Sequence, residues 1–152
     1  MKNLLTALLV LTLFISCTKD KTEPVIDYTA KNEQEIKDYI TNNYLSAQRT
    51  AEGLYYVINY QGTGKQATAT SNVTVAYKGY FTNRTVFDHN DAGYTTYLNN
   101  VIKGWTQGIP FFKAGGSGIL LIPSSLGYGS STNGTIPGGS VLIFDINLIS
   151  VN

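Results

Sequence analysis

The stretch "NVTVAYKGYF", residues 72–81, alternates apolar and polar side chains over most of its length. Successive strand side chains point to opposite faces, so Val73, Val75, Tyr77 and Phe81 share one face. A segment apolar on one face belongs in a sheet covered on that side. "SVLIFDINLISV", residues 140–151, repeats the pattern with Leu142, Phe144, Ile146 and Leu148 together. "LYYVINY", followed by the turn "QGTGK", reads as another strand. So does "GILLIP" (Gly118 to Pro123), which is short and continuously apolar. Between these strands only "KGWTQGIPFF" suits a helix. It must be short, because Pro110 removes a helical hydrogen bond and clips or kinks the last turn. The pattern implies an α+β design, an antiparallel β-sheet wrapped around one short α-helix. With 152 residues, 43% of them hydrophobic, the chain suits one such domain plus extensions.

The extensions lie at the N-terminus. Lys2 precedes an apolar run of 12 residues, Leu4 to Ile15. A helix needs roughly 20 residues to span a bilayer, so the run reads as the core of a signal peptide, residues 1–16. It ends in "FISC", which resembles a bacterial lipobox with Phe14 where Leu is usual. Cys17 is the sole cysteine; it is expected to carry lipid and to begin the mature chain, and no internal disulfide can form. This predicts a location in the bacterial cell envelope, anchored to a membrane through Cys17. Residues 17–30 are polar and mixed in charge, which suits a tether. A helix is expected within residues 31–50. Asn32 and Glu35 have the spacing of a capping box, and Glu33 and Glu35 suit a first turn. Ile36, Ile40, Tyr44 and Ala47 fall at helical spacing, on a face that packs against the domain of residues 51–152.

Several chemistries are excluded. The formal net charge is +1 and no basic stripe occurs, so nucleic acid is not an expected partner. His89 is the sole histidine, and no nucleophile-elbow motif accompanies it. Clustered metal ligands are missing, so neither metal nor cofactor is expected. "AGGSG" lacks the Lys-Ser/Thr ending of a phosphate loop and reads as a turn. The Asn-x-Ser/Thr patterns at Asn72, Asn83 and Asn133 read as chance. What remains is a set of aromatic and aliphatic residues with one acid among them. Phe87 and Asp88 stand in "TVFDHN", Tyr128 in "LGYG", Ile136 in "TIPGG", and Trp105 is the lone tryptophan. Taken alone, Trp105 could be core, and Asp88 could shape a turn.

Three blocks in order, "VTVAYKGYFTNRTVFD", "VIKGWTQGIPFFKAGGSGILLIPSSLGYG" and "IPGGSVLIFDINLI", resemble the FKBP-type peptidyl-prolyl cis-trans isomerases. The resemblance runs from about Ala51 to Val151. It implies a strongly twisted antiparallel sheet curled over a short helix, with a pocket between them. It assigns Trp105 to the pocket floor and Tyr77, Phe87 and Phe144 to its walls. Val101 and Ile102 line one side, with the Ile102 N–H donating to a bound peptide. Tyr128 offers a hydroxyl, Asp88 sits at the rim near the Tyr77 hydroxyl, and Ile136 is an aliphatic lid. The implied activity is X-Pro isomerisation that helps envelope proteins fold. The implied partners are proline-containing polypeptides and macrolide inhibitors. A non-catalytic proline-peptide module using the same pocket is the alternative; a glycan-binding β-sandwich fits the ordered blocks less well. Two departures stand out. Gly138 and Gly139 replace a usual Pro and polar residue, which predicts a more mobile loop and weaker macrolide contacts. The segment after Asp88 lacks the usual wall Phe, and either Tyr94 or Tyr97 could replace it.

Overall fold

The computed structural model describes residues 26–152, so the apolar N-terminal run, Cys17 and most of the expected tether lie outside the described residues. In chain order the elements are α1 (Thr29–Asn42), β1 (Gln48–Arg49), β2 (Tyr55–Tyr60), β3 (Asn72–Tyr80), β4 (Val86–Tyr97), α2 (Lys103–Gly108), β5 (Gly116–Ile122) and β6 (Leu142–Val151). The strands form one six-stranded sheet in the order β1-β2-β5-β6-β3-β4. Every pairing in it is antiparallel. Register shifts between Val75 and Tyr77 and between Gly79 and Tyr80 mark bulges, which bend β3 against β4. The α-helical part of α2 stops at Gly108, and Pro110 sits in the 3-10 turn Ile109–Phe111 that follows. The architecture is the α+β arrangement of an antiparallel sheet with one short helix against it.

The central strands are covered on both faces. Leu120, Ile122, Leu142, Phe144, Ile146 and Leu148 join Trp105, Ile109 and Phe112 in the main apolar cluster. Leu121 and Ile143 face the other way, where they pack with Ile36 and Tyr39 of α1. This double cover is why "GILLIP" is continuously apolar while β3 alternates. The contact face of α2 is glycine. A Cβ on Gly104 would stand 2.5 Å from Ile122 Cγ2, and one on Gly108 2.7 Å from Leu120 Cδ2. The helix therefore lies close against the sheet.

The N-terminal helix differs from its sequence expectation. It begins at Thr29, ahead of Asn32, so Thr29 and Ala30 are helical rather than tether, and Asn32 is not the cap. No acidic side chain lies in its first turn. Asn32 is instead buried and bonded to the loop between β5 and β6. The helix ends at Asn42, and Tyr44, at φ 53° and 95% exposed, leaves the packed face. Tyr39 takes its place beside Ile36 and Ile40, and Ala47 packs nearby from beyond the helix.

An ion pair ties α1 to the sheet. Glu33 accepts the Tyr55 hydroxyl at 2.7 Å and meets Lys37 at 3.0 Å and Arg49 at 3.3 Å. The Tyr55 hydrogen bond, helped by Lys37 and Arg49, holds the Glu33 carboxyl below its ordinary 4.5, against burial that pushes it up. A carboxyl depressed in the folded state contributes stability above its ordinary value and loses it as pH falls through the depressed one. Thermal melts between about pH 7 and about pH 3 should therefore show a steeper loss for the native chain than for Glu33→Gln. Identical slopes would show that Glu33 does not couple α1 to the sheet.

Candidate active site

A cavity of about 760 Å³ opens between α2 and the sheet. Its base is Trp105 on α2, 5% exposed and also part of the main apolar cluster. The indole meets Tyr77 at 5.0 Å with the planes 83° apart, and Phe144 at 5.3 Å and 81°. Phe87 meets Phe144 edge-on at 5.5 Å and 84°. Edge-to-face pairs of this kind contribute about 0.5–1.5 kcal/mol each beyond area burial. The indole Nε1 is buried and has no protein acceptor among the described residues.

Each wall comes from a different element. β3 supplies Tyr77, β6 Phe144, and β4 both Phe87 and Asp88. Val101 and Ile102 lead into α2, while Tyr128 and Ile136 come from the long loop between β5 and β6. All nine residues named from the sequence for this pocket line the one cavity. Asp88 lies within β4 and not in a turn. Of the two tyrosines left open as the missing wall, Tyr94 lines the cavity, with its ring 6.5 Å from Tyr77. Tyr97 is 52% exposed and is not among the lining residues.

The polar groups are few. The Tyr77 hydroxyl donates to Asp88 Oδ2 at 2.6 Å, a short charge-assisted bond. Burial, and then this bond, push the Tyr77 phenol well up from its ordinary value. Burial and the Asp88 charge push the Tyr128 phenol up as well. Both hydroxyls stay protonated at neutral pH; the Tyr77 proton is committed to Asp88, and the Tyr128 hydroxyl is left to donate into the cavity. The Ile102 carbonyl accepts from Trp105 N–H at 2.9 Å and Thr106 N–H at 3.2 Å, while the Ile102 N–H has no intramolecular acceptor among the described residues. It is a free donor at the cavity wall. The site offers donors and apolar faces. It holds no arrangement of nucleophile and base.

Sequence reasoning missed several contributors. Gly79 on β3 pairs with both Asp88 and Phe144. A Cβ there would stand 2.6 Å from Phe87 Cε2 and 2.8 Å from Phe144 Cε1, so only glycine lets the two rings close over β3. The signal was present: a glycine inside a strand marks close approach. Asn100 and residues 133–135 also line the cavity, and nothing in their sequence points there. The loop around Gly138 and Gly139 has a contact of its own at its base. Gly139 is buried and its N–H bonds Gly129 O at 2.9 Å, so the glycine pair is built into the loop base.

An antiparallel sheet over a short helix, with an aromatic cavity between them, defines the class. Residues 63–149 match the family model of the FKBP-type peptidyl-prolyl cis-trans isomerases, and the chain belongs to that family. It is 41% identical over 68% of its length to FKBP-type peptidyl-prolyl cis-trans isomerase FkpA of Buchnera aphidicola subsp. Schizaphis graminum, covering 42% of that protein. It is 42% identical over 80% of its length to the probable FkpA of Neisseria meningitidis serogroup B, covering 45% of it. The chain thus spans less than half the length of these two relatives. A second protein of the same Neisseria strain, an FK506-binding protein, is 38% identical over 60% of this chain and 89% of its own length. The crystal structure of FkpA from Escherichia coli superposes with a TM-score of 0.73 at 32% identity, over 81% of this chain and 60% of that one. A peptidyl-prolyl cis-trans isomerase from Pseudomonas syringae pv. tomato gives 0.72 at 27% identity, over 84% and 97%.

Gly79→Ala tests the wall geometry. The strand should persist while the Phe87 ring is displaced. Affinity for a proline peptide, read by Trp105 fluorescence, should fall about ten-fold. An unchanged affinity would mean that the two rings do not shape the binding surface.

Proposed function

We propose that the chain is a peptidyl-prolyl cis-trans isomerase that accelerates X-Pro rotation in proteins of the bacterial envelope and so assists their folding. The observation that carries this reading is a cavity lined by aromatic rings, with the neutral Tyr128 hydroxyl and one free backbone N–H as its donors. Rotation about an X-Pro bond breaks amide resonance without making or breaking a covalent bond. It needs neither nucleophile nor metal. The twisted amide is less charge-separated than the planar one, so a water-poor apolar cavity binds it better. Trp105 is the floor for the proline ring, and Tyr77, Phe87 and Phe144 are the walls. The Ile102 N–H and the Tyr128 hydroxyl donate to the substrate. Asp88 orients Tyr77 and moves no proton. A rate enhancement of roughly a million-fold would require about 8 kcal/mol of preference for the twisted form, shared among these contacts. Macrolides of the kind that occupy such pockets would also enter, with contacts around Gly138 and Gly139 differing from the family pattern.

A protease-coupled assay on a panel of short X-Pro peptides tests the activity. Phe87→Ala should lower turnover at least ten-fold, or about 1.4 kcal/mol of transition-state preference. Phe87 is half-buried, so the stability loss should stay below the roughly 3–5 kcal/mol of a fully buried truncation. Intact turnover with a collapsed fold would make Phe87 a core residue. Saturable binding without turnover would leave a proline-peptide module.

The proposed location rests on the sequence before the described residues. Cys17 follows an apolar run too short to span a bilayer, and among the described residues no helix is long and apolar enough to cross one. Lipid on Cys17 would then be the anchor. Cys17→Ala should move the protein from the membrane fraction to the soluble fraction of cells. A variant that stays with the membrane would remove the lipid from the account.

A further inference from the structure

The loop between β5 and β6 carries Tyr128 and Ile136 to the cavity, yet has little regular structure of its own. Its base is closed by a ring of four hydrogen bonds. Asn32 Nδ2 donates to Gly139 O at 2.9 Å. Gly139 N–H donates to Gly129 O at 2.9 Å, and Gly129 N–H donates to Ser124 O at 2.8 Å. Ser124 N–H donates to Asn32 Oδ1 at 2.8 Å and completes the circuit. Asn32 is the one member supplied from outside the loop, and it comes from α1.

Packing alone does not account for this residue. Asn is a poor helix former, and an unpaired buried amide is costly. At 1% exposure beside Ile36, an apolar side chain would cover the sheet more cheaply. A primary amide has a donor and an acceptor on one rigid plane, which is what the two ends of this loop require. The Tyr28 ring lies against Gly139 from the same side, so closely that a Cβ there would collide with it.

We propose that Asn32 is a positioning residue for the isomerase site. Through Gly139 and Gly129 it fixes where the adjacent Tyr128 presents its hydroxyl and where Ile136 closes the cavity. The proposal rests on the isomerase reading above, and it makes α1 a working part of the site although α1 contributes no lining residue.

The test compares two variants of the full chain. Ile36→Val weakens the packing of α1 on the sheet and leaves the hydrogen-bond ring alone. Asn32→Ala opens the ring. In folded protein, Asn32→Ala should lower kcat/KM at least about five-fold, while Ile36→Val should stay within about two-fold of the native chain. Amide exchange at Gly129 and Gly139 should accelerate in Asn32→Ala alone. If Asn32→Ala does not fold, Asn32→Asp serves instead: it keeps the acceptor for Ser124 N–H, loses the donor to Gly139 O, and should speed exchange at Gly139 and lower kcat/KM. Activity losses that track stability equally in the Asn32 and Ile36 variants would overturn the proposal. So would native exchange rates in the Asn32 variant. Should the native chain itself show no turnover, the isomerase reading fails separately. The positioning role is then decided by exchange at Gly129 and Gly139 and by the fluorescence affinity for a proline peptide.

Discussion

The site depends on one packing event: Trp105 meeting Tyr77 and Phe144 nearly at right angles, with centroids 5.0 and 5.3 Å away. Perpendicular rings leave a re-entrant corner where parallel rings would fill it. That corner is the cavity. It exists because α2 comes very close to the sheet at Gly104 and Gly108, while Trp105, next to Gly104 on the helix, is the largest residue available. Small residues at the contact and a bulky one beside it fix both the height of the helix and the depth of the pocket.

The electrostatics follow from the same geometry. Burial raises the Tyr77 and Tyr128 phenols above a value that already keeps them protonated at neutral pH. Asp88 carries the one carboxylate on the cavity wall, and the Tyr77 hydroxyl occupies one of its oxygens at 2.6 Å. The two phenols hold their protons across the neutral range, so they serve as hydrogen-bonding groups and not as bases. The site can remove water from an amide and hold that amide off-plane. The arrangement fits a reaction whose barrier is lost resonance rather than bond cleavage.

The parts of this fold legible in the sequence are those with a strong period. β3 and β6 bury one set of alternating residues and were readable from Val73, Val75, Leu142 and Leu148. β4 was not readable. It is twelve residues long, carries Asp88, His89, Asn90 and Asp91 in a row, and lies at the sheet edge, where little is buried. Its pairing comes from backbone hydrogen bonds to β3, and these leave no hydrophobic signature. The short β1 was lost for the same reason. At the site, the aromatic residues announced themselves through the family blocks. Gly79 showed only as a glycine inside a strand, a sign of close approach that does not say that Phe87 and Phe144 are what converge there. Asn32 was readable only as a local cap, because its partners in the loop lie 92 and 107 residues away along the chain.

That last case bears on where the functional unit begins. The family match starts at residue 63, and it includes every residue that lines the cavity. α1 lies wholly outside it, at Thr29–Asn42. Yet α1 buries Ile36 and Tyr39 on the outer face of the central strands and holds the base of the loop that brings Tyr128 to the substrate side. At its far end Asn43 receives a hydrogen bond from Arg84, in the turn that leads into the strand of Phe87 and Asp88. The helix and the residue that follows it thus touch both connections that flank the cavity while standing on the opposite face of the sheet. A cavity formed from four separate elements has its walls set by whatever fixes those elements relative to one another. In this chain part of that task falls to a helix that the substrate never meets.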